Sequence, residues 1–111
     1  MKIPYIYVFV RADIPVVGQL VQVGHACYQA GAQFGQEEVP HLILIGVPDE
    51  ESLLGEARRV QKRGIRIEVF HETGVVYAGR TDPVSGYTAA CTEPLRGDVR
   101  RWFKRYELYS L

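Results

Sequence analysis

Gln19, Gln22, His25, Gln29 and Gln33 recur at steps of three and four residues, the spacing that lines one face of an α-helix. No Asp, Glu, Lys or Arg occurs anywhere from Ile14 to Gln36, whereas an exposed helix face normally carries Lys and Glu. Amides and a neutral imidazole exchange hydrogen bonds without the desolvation cost of a charge. The stripe therefore faces a ligand or a second protomer, or it lies under the chain's own loops with its amides bonded to backbone. His25 reads first as a structural histidine bonded to a carbonyl, second as a proton carrier. Asp13 falls where a strand gives way to a helix, at the carboxyl edge of a sheet, where α/β proteins build sites; it also fits a simple helix cap. Glu72 falls just past the end of a later strand, and Thr88 opens the strand after that. Brought together, these groups have an ester hydrolase's chemistry. Gln22 and Thr88 can donate to a developing oxyanion, Asp13 or Glu72 can accept from water, and His25 can do either. No nucleophile triad is present.

A second set is cationic. The 13 basic and 13 acidic residues cancel, but eleven of the bases lie between Arg58 and Arg105. Arg58, Arg59, Lys62 and Arg63 form one group; Arg96, Arg100, Arg101, Lys104 and Arg105 form another. They read as solvated faces or as a surface that follows nucleic-acid phosphates. Trp102, Tyr106 and Tyr109 have the shape to stack on bases, but their spacing favours core packing. Cys27 and Cys91 are too few and too far apart in sequence for a disulfide framework or a zinc module, and read as small core residues.

The elements that must position these groups follow from hydrophobic pattern. Tyr5–Arg11 and His41–Val47 are near-continuous apolar runs, as expected of central strands covered on both faces. Val16–Phe34 has an apolar stripe at Leu20, Val23, Cys27, Ala30 and Phe34, expected to face inward. Pro48-Asp49-Glu50-Glu51 is a helix start, with Asp49 as cap and acids at the positive end of the dipole; the helix runs to about Arg63 and buries Leu53, Leu54, Ala57 and Val60. Arg66–His71 alternates as an edge strand, and Glu72–Ser85 reads as a loop with a short ribbon at Val75–Tyr77. Tyr87–Thr92 is a fourth strand. A last helix from Pro94 to about Tyr106 carries Leu95, Val99, Trp102 and Tyr106 inward, and Leu108-Tyr109 reads as a short closing strand. The order β-α-β-α-β-β-α predicts a single domain over residues 1–111, a three-layer α/β/α sandwich with a mixed sheet of about four strands. With 111 residues, 47% apolar and 23% charged, the chain is of ordinary globular composition. No GxGxxG, phosphate-binding loop or paired His/Cys spacing occurs, so no metal or cofactor is expected. The absence of a signal peptide or membrane-length apolar run points to a soluble, cytoplasmic product.

Val10-Arg11-Ala12-Asp13, Gln22-Val23-Gly24-His25-Ala26 and Val47-Pro48-Asp49-Glu50-Glu51 with Leu53-Leu54, taken in this element order, resemble the type II peptidyl-tRNA hydrolases. Phe70-His71-Glu72 and Thr88 fit the same pattern, and the likeness covers nearly the whole chain. The resemblance implies cofactor-free hydrolysis of the ester between a peptide, or a blocked amino acid, and the 3′ ribose of tRNA. It implies tRNA as partner of the basic residues, with Asp13, Gln22, His25, Glu72 and Thr88 at the site, and a homodimer. Two departures stand out. The family lysine four residues before the helix glutamine is Gly18 here, and the family's Asp-Ala-Gly-Arg-Thr is replaced by Glu72-Thr73-Gly74-Val75-Val76. The loss of a cation that would touch phosphate or ester gives the competing expectation, a catalytically silent dimeric relative that binds tRNA or a protein.

Overall fold

A computed structural model of the chain describes residues 2–35 and 38–110. Strand β1 (Tyr5–Arg11) leads to helix α1 (Val16–Phe34), β2 (His41–Val47), α2 (Glu50–Lys62), β3 (Ile67–Val75), β4 (Val84–Thr92) and a C-terminal 3₁₀ helix (Gly97–Arg105). The architecture is α/β, a mixed sheet of four strands in the order β2-β1-β4-β3 with three helices. β1 and β2 run parallel, in register from Tyr5 opposite His41 to Arg11 opposite Val47; α1 makes the crossover that a parallel pair requires. β4 is antiparallel to both β1 and β3.

Alternation along β1 divides the core in two. Tyr7 and Phe9 join Leu53, Ala57 and Val60 of α2 and Phe103 of the 3₁₀ helix. Val8 and Val10 join Ala26 and Ala30 of α1 with Ala89 and Cys91 of β4. The expected cap is in place on α2, where the Asp49 carboxylate accepts the Ser52 N–H at 2.8 Å; that acceptor bond holds the Asp49 carboxyl below its ordinary pKa.

Four expectations are corrected. β2 is an edge strand, not a central one. Its apolar run is explained by Ile45 and Val47 packing on the α2 side and Leu44 on the α1 side, and by a shield on its outer edge. There the Tyr109 N–H donates to Leu44 O at 2.9 Å and the Tyr109 ring lies against Gly46, which covers an edge that would otherwise be open. The last helix is 3₁₀ and begins at Gly97, not Pro94. β3 and β4 are longer than their alternation predicts, so Glu72 and Thr88 lie within strands rather than at their ends. Finally, α1 is rotated. Gly18, Gln19, Gln22, Ala26 and Ala30 are buried, while Leu20 is 66% exposed. Small residues let the helix sit close on β4, and the buried Gln22 amide finds partners at the sheet's end, which outweighs the loss of one buried leucine.

Candidate active site

Gln22 is wholly buried on the inner face of α1, and its amide uses every bond it can readily make inside the protein. Its Oε1 accepts the Thr88 hydroxyl at 2.6 Å. Its Nε2 donates to Glu72 Oε1 at 3.0 Å and to the Tyr77 phenol oxygen at 2.9 Å. Thr88 reaches this position because of a bulge in β4. Phe70 pairs with Ala89 and His71 with Tyr87, so Thr88 is the extra residue with no opposite number. Strict alternation would turn Thr88 away from the face that holds Ala89; the bulge turns it back towards α1, as bulges do where a strand must re-aim a side chain. A second irregularity between Glu72 and Val75 lies beside the carboxylate.

Glu72 is held below the ordinary glutamate pKa, first by the Gln22 N–H, then by the backbone N–H groups of Gly74 and Thr73 and the nearby His25, with desolvation opposing. It is therefore an ionised, weak base, suited to orienting an amide or a water rather than to donating a proton. His25 is exposed and stacks on Phe70, with ring centroids 4.7 Å apart, so it is not the carbonyl-bonded core histidine that its position alone allows.

Tyr77, which the sequence pattern left in a loop ribbon, completes the cluster. Its ring lies over Gly18 so closely that a Cβ there would stand 2.8 Å from the ring. The tyrosine thus fills the space into which a side chain at position 18 would project, and its hydroxyl occupies one of the two donor sites of Gln22. Two glycines and a phenol marked the segment only as a turn, because the contact is made across 59 positions of chain from 18 to 77. Gln19, one turn before, donates from Nε2 to Ile14 O at 2.8 Å, while its buried Oε1 has no partner among the described residues.

Asp13 stands apart from this cluster. It does not cap α1, whose first turn has no side-chain cap. Both of its oxygens accept from Arg11, at 2.9 and 3.0 Å, and Arg11 continues to the carbonyls of Ser85 and Tyr87. The carboxylate serves to fix Arg11 as a clamp on the start of β4. Glu50 does the same from α2, accepting the Tyr87 N–H at 2.7 Å. So Gln22, Glu72 and Thr88 meet at the carboxyl end of β1, His25 lies at the rim, and Asp13 acts through Arg11.

The basic residues divide as well. Arg58, Arg59, Lys62, Arg101 and Lys104 are exposed. Arg96 bonds Glu38 at 2.7 Å and the Lys2 carbonyl, and Arg100 lies 3.4 Å above the Tyr5 ring with a bond to the Tyr7 hydroxyl, so these two have partners within the chain. Arg63 and Arg105 lie 6.0 and 4.3 Å from the centre of the half-buried Trp102 ring, joining the cations of α2 and of the 3₁₀ helix into one surface. Among the described residues, no three His, Cys, Asp or Glu side chains group to hold a metal ion, and no helix is long and apolar enough to cross a membrane.

No protein-family model and no curated protein matches this chain. Its fold is similar to the solved structure of a protein of unknown function from Agrobacterium tumefaciens, with a TM-score of 0.64 at 20% identity, over 99% of this chain and 100% of that one. At that identity the likeness concerns the fold alone.

Proposed function

We propose that the chain is a divergent relative of the type II peptidyl-tRNA hydrolases, a three-layer α/β/α sandwich that hydrolyses the ester joining a peptide or blocked amino acid to tRNA. The observation that carries this reading is the Gln22–Thr88–Glu72 cluster: a bulge aims a threonine at a helix glutamine beside an ionised carboxylate, with His25 at the rim. In this arrangement Gln22 is the oxyanion donor, oriented by Thr88 and Glu72, and a water ordered by Glu72 or His25 attacks the ester carbon. The Tyr77 hydroxyl accepts the N–H that a substrate oxygen would take, so this is a closed form and Tyr77 must withdraw for turnover. The exposed cations of α2 and the 3₁₀ helix follow the tRNA phosphates.

The contact of Tyr77 with Gly18 favours a second reading, in which the closure is permanent and the protein binds tRNA without cleaving it. Hydrolysis of a blocked aminoacyl-tRNA by wild type and by Tyr77→Ala separates the two. The hydrolase reading expects activity that rises on removing the ring and falls by about 100-fold or more in Tyr77→Ala carrying Gln22→Ala. No hydrolysis by either protein, with tRNA retained, leaves the silent binder. Neither hydrolysis nor tRNA binding overturns both.

A further inference from the structure

The two cysteines, 64 positions apart in the chain from 27 to 91, lie in one region towards the other end of the sheet. Cys27 is on α1 and Cys91 on β4, and both line one cavity of about 560 Å³ with Ile6, Ala30, Phe34, Val39 and Leu42. The cavity lies by the amino ends of β1 and β2, away from the Gln22 cluster. Ala26 and Ala30 on the helix and Ala89 on the strand share a core cluster with Cys91, with Cys27 packed against it; these short side chains bring helix and strand close, and in this form the Cys91 thiol donates to the Thr92 carbonyl at 3.5 Å. The two thiols differ in access: Cys91 is fully buried and Cys27 is partly exposed.

We propose that Cys27 and Cys91 form a two-thiol oxidation site, in which Cys27 is oxidised first and Cys91 resolves it, with an apolar organic hydroperoxide as the oxidant admitted by the cavity. Two inert core cysteines need neither a shared cavity nor different surroundings. The lining is mostly aliphatic and aromatic, with Glu38 and Thr92 as its polar members, and the volume is that of a small-molecule site, so an alkyl or aryl hydroperoxide is a better occupant than the strongly hydrated hydrogen peroxide. The acidities run the same way. The neighbouring Cys91 thiol holds Cys27 below the ordinary thiol value against the effect of burial, while Cys91 is pushed well up by Cys27 and by burial. The accessible sulfur is thus the better thiolate, as the attacking member of a redox pair must be.

The chemistry balances in two steps. The Cys27 thiolate attacks the terminal oxygen of the hydroperoxide; the O–O bond breaks, the hydroxyl passes to sulfur to give a sulfenic acid, and the alkoxide leaves as the alcohol by taking the proton that the Cys27 thiol released on ionising. The Cys91 sulfur then attacks the Cys27 sulfur; the S–S bond forms, the S–O bond breaks, and water leaves with the Cys91 proton. The thiols lose two electrons, and the peroxide is reduced to alcohol and water.

The test is intact-mass spectrometry of the reduced, folded protein after exposure to cumene hydroperoxide, with hydrogen peroxide as the second arm. The expected product has lost two hydrogens and gained no oxygen, a peptide map joins positions 27 and 91, and dithiothreitol reverses it. Cumene hydroperoxide reacts several-fold faster than hydrogen peroxide. Cys27→Ser removes the reaction, and Cys91→Ala leaves a sulfenic acid on Cys27 that dimedone traps. An unchanged native mass, or oxygen added to the sulfurs without a bridge, overturns the proposal. Equal rates with the two oxidants overturn the role of the cavity. Should Cys91→Ala fail to fold, the peptide map and reversal on wild type still decide.

Discussion

Gln22 and Asp13 present the same question at the level of single side chains and receive opposite answers. Gln22 is buried with three partners, so Gln22→Ala strands the buried Thr88 hydroxyl and should cost about 1–3 kcal/mol of stability, more if the space left behind does not collapse. Asp13 is a surface partner of Arg11, and Asp13→Ala should cost under about 1 kcal/mol. Urea unfolding of the two variants checks the contrast. Glu72 adds a pH dependence whose sign is determined. Its carboxyl is depressed in the folded protein, so its contribution is present above the ordinary glutamate pKa and is lost as pH falls through the folded value. As pH falls below about 4 wild type should lose more stability than Glu72→Gln. Parallel losses in the two proteins would show that the Gln22 bond to the carboxylate contributes nothing.

At the scale of elements, the contact of α1 with the Tyr77 segment makes a sharper prediction than any single residue. Glycine within a helix is worse than alanine by about 1 kcal/mol, so Gly18→Ala ought to stabilise α1. In this protein the new Cβ would stand 2.8 Å from the Tyr77 ring, so in wild type the ring must move and its bond to Gln22 is lost or strained. In a Tyr77→Ala background the same substitution should recover the full helix gain of about 1 kcal/mol. Chemical unfolding of the four proteins in a double-mutant cycle reads the difference. By the same geometry Gly18→Lys alone should destabilise rather than revive activity. The pattern of legibility has the same origin. β1, α2 and the Asp49 cap were readable, because each depends on neighbours in sequence. The bulge at Thr88, the rotation of α1 away from Leu20, and the shielding of β2 by Tyr109 were not. Each is set by a residue more than 50 positions distant: Gln22 bonded to Thr88 and Tyr77, Leu44 bonded to Tyr109. Of the candidate cluster, Gln22, Glu72 and Thr88 are suggested by the resemblance, but Tyr77 is not.

For the whole molecule, the rotation of α1 decides where a second copy would sit. The charge-free helix turns Gln19 and Gln22 inward, while Val16, Val17, Leu20, Val21 and the 83%-exposed Tyr28 form an open apolar strip, with Gly24 and Gly31 adding no bulk beside it. A two-fold pairing of such a strip with itself brings no like charges together, and a helix rich in Lys and Glu would not pair in this way without cost. A homodimer, which the sequence resemblance implies, would use this outer face of α1 and leave the cations of α2 and the 3₁₀ helix free. Leu20→Lys should then weaken association by burying an unpaired charge, typically by several kcal/mol, and leave the monomer's fold intact because Leu20 is exposed. Arg58→Gln with Lys62→Gln and Lys104→Gln should leave the dimer unchanged and instead weaken tRNA binding for all tRNA sequences alike, flattening the salt dependence by about one unit of slope per lost phosphate contact. Light scattering and salt-titrated tRNA binding on both variants give the decisive crossing. If wild type is monomeric at micromolar concentration, the α1 strip has another purpose. If the triple variant binds tRNA with an unchanged salt slope, the cationic surface is a solvated face and tRNA must be contacted elsewhere.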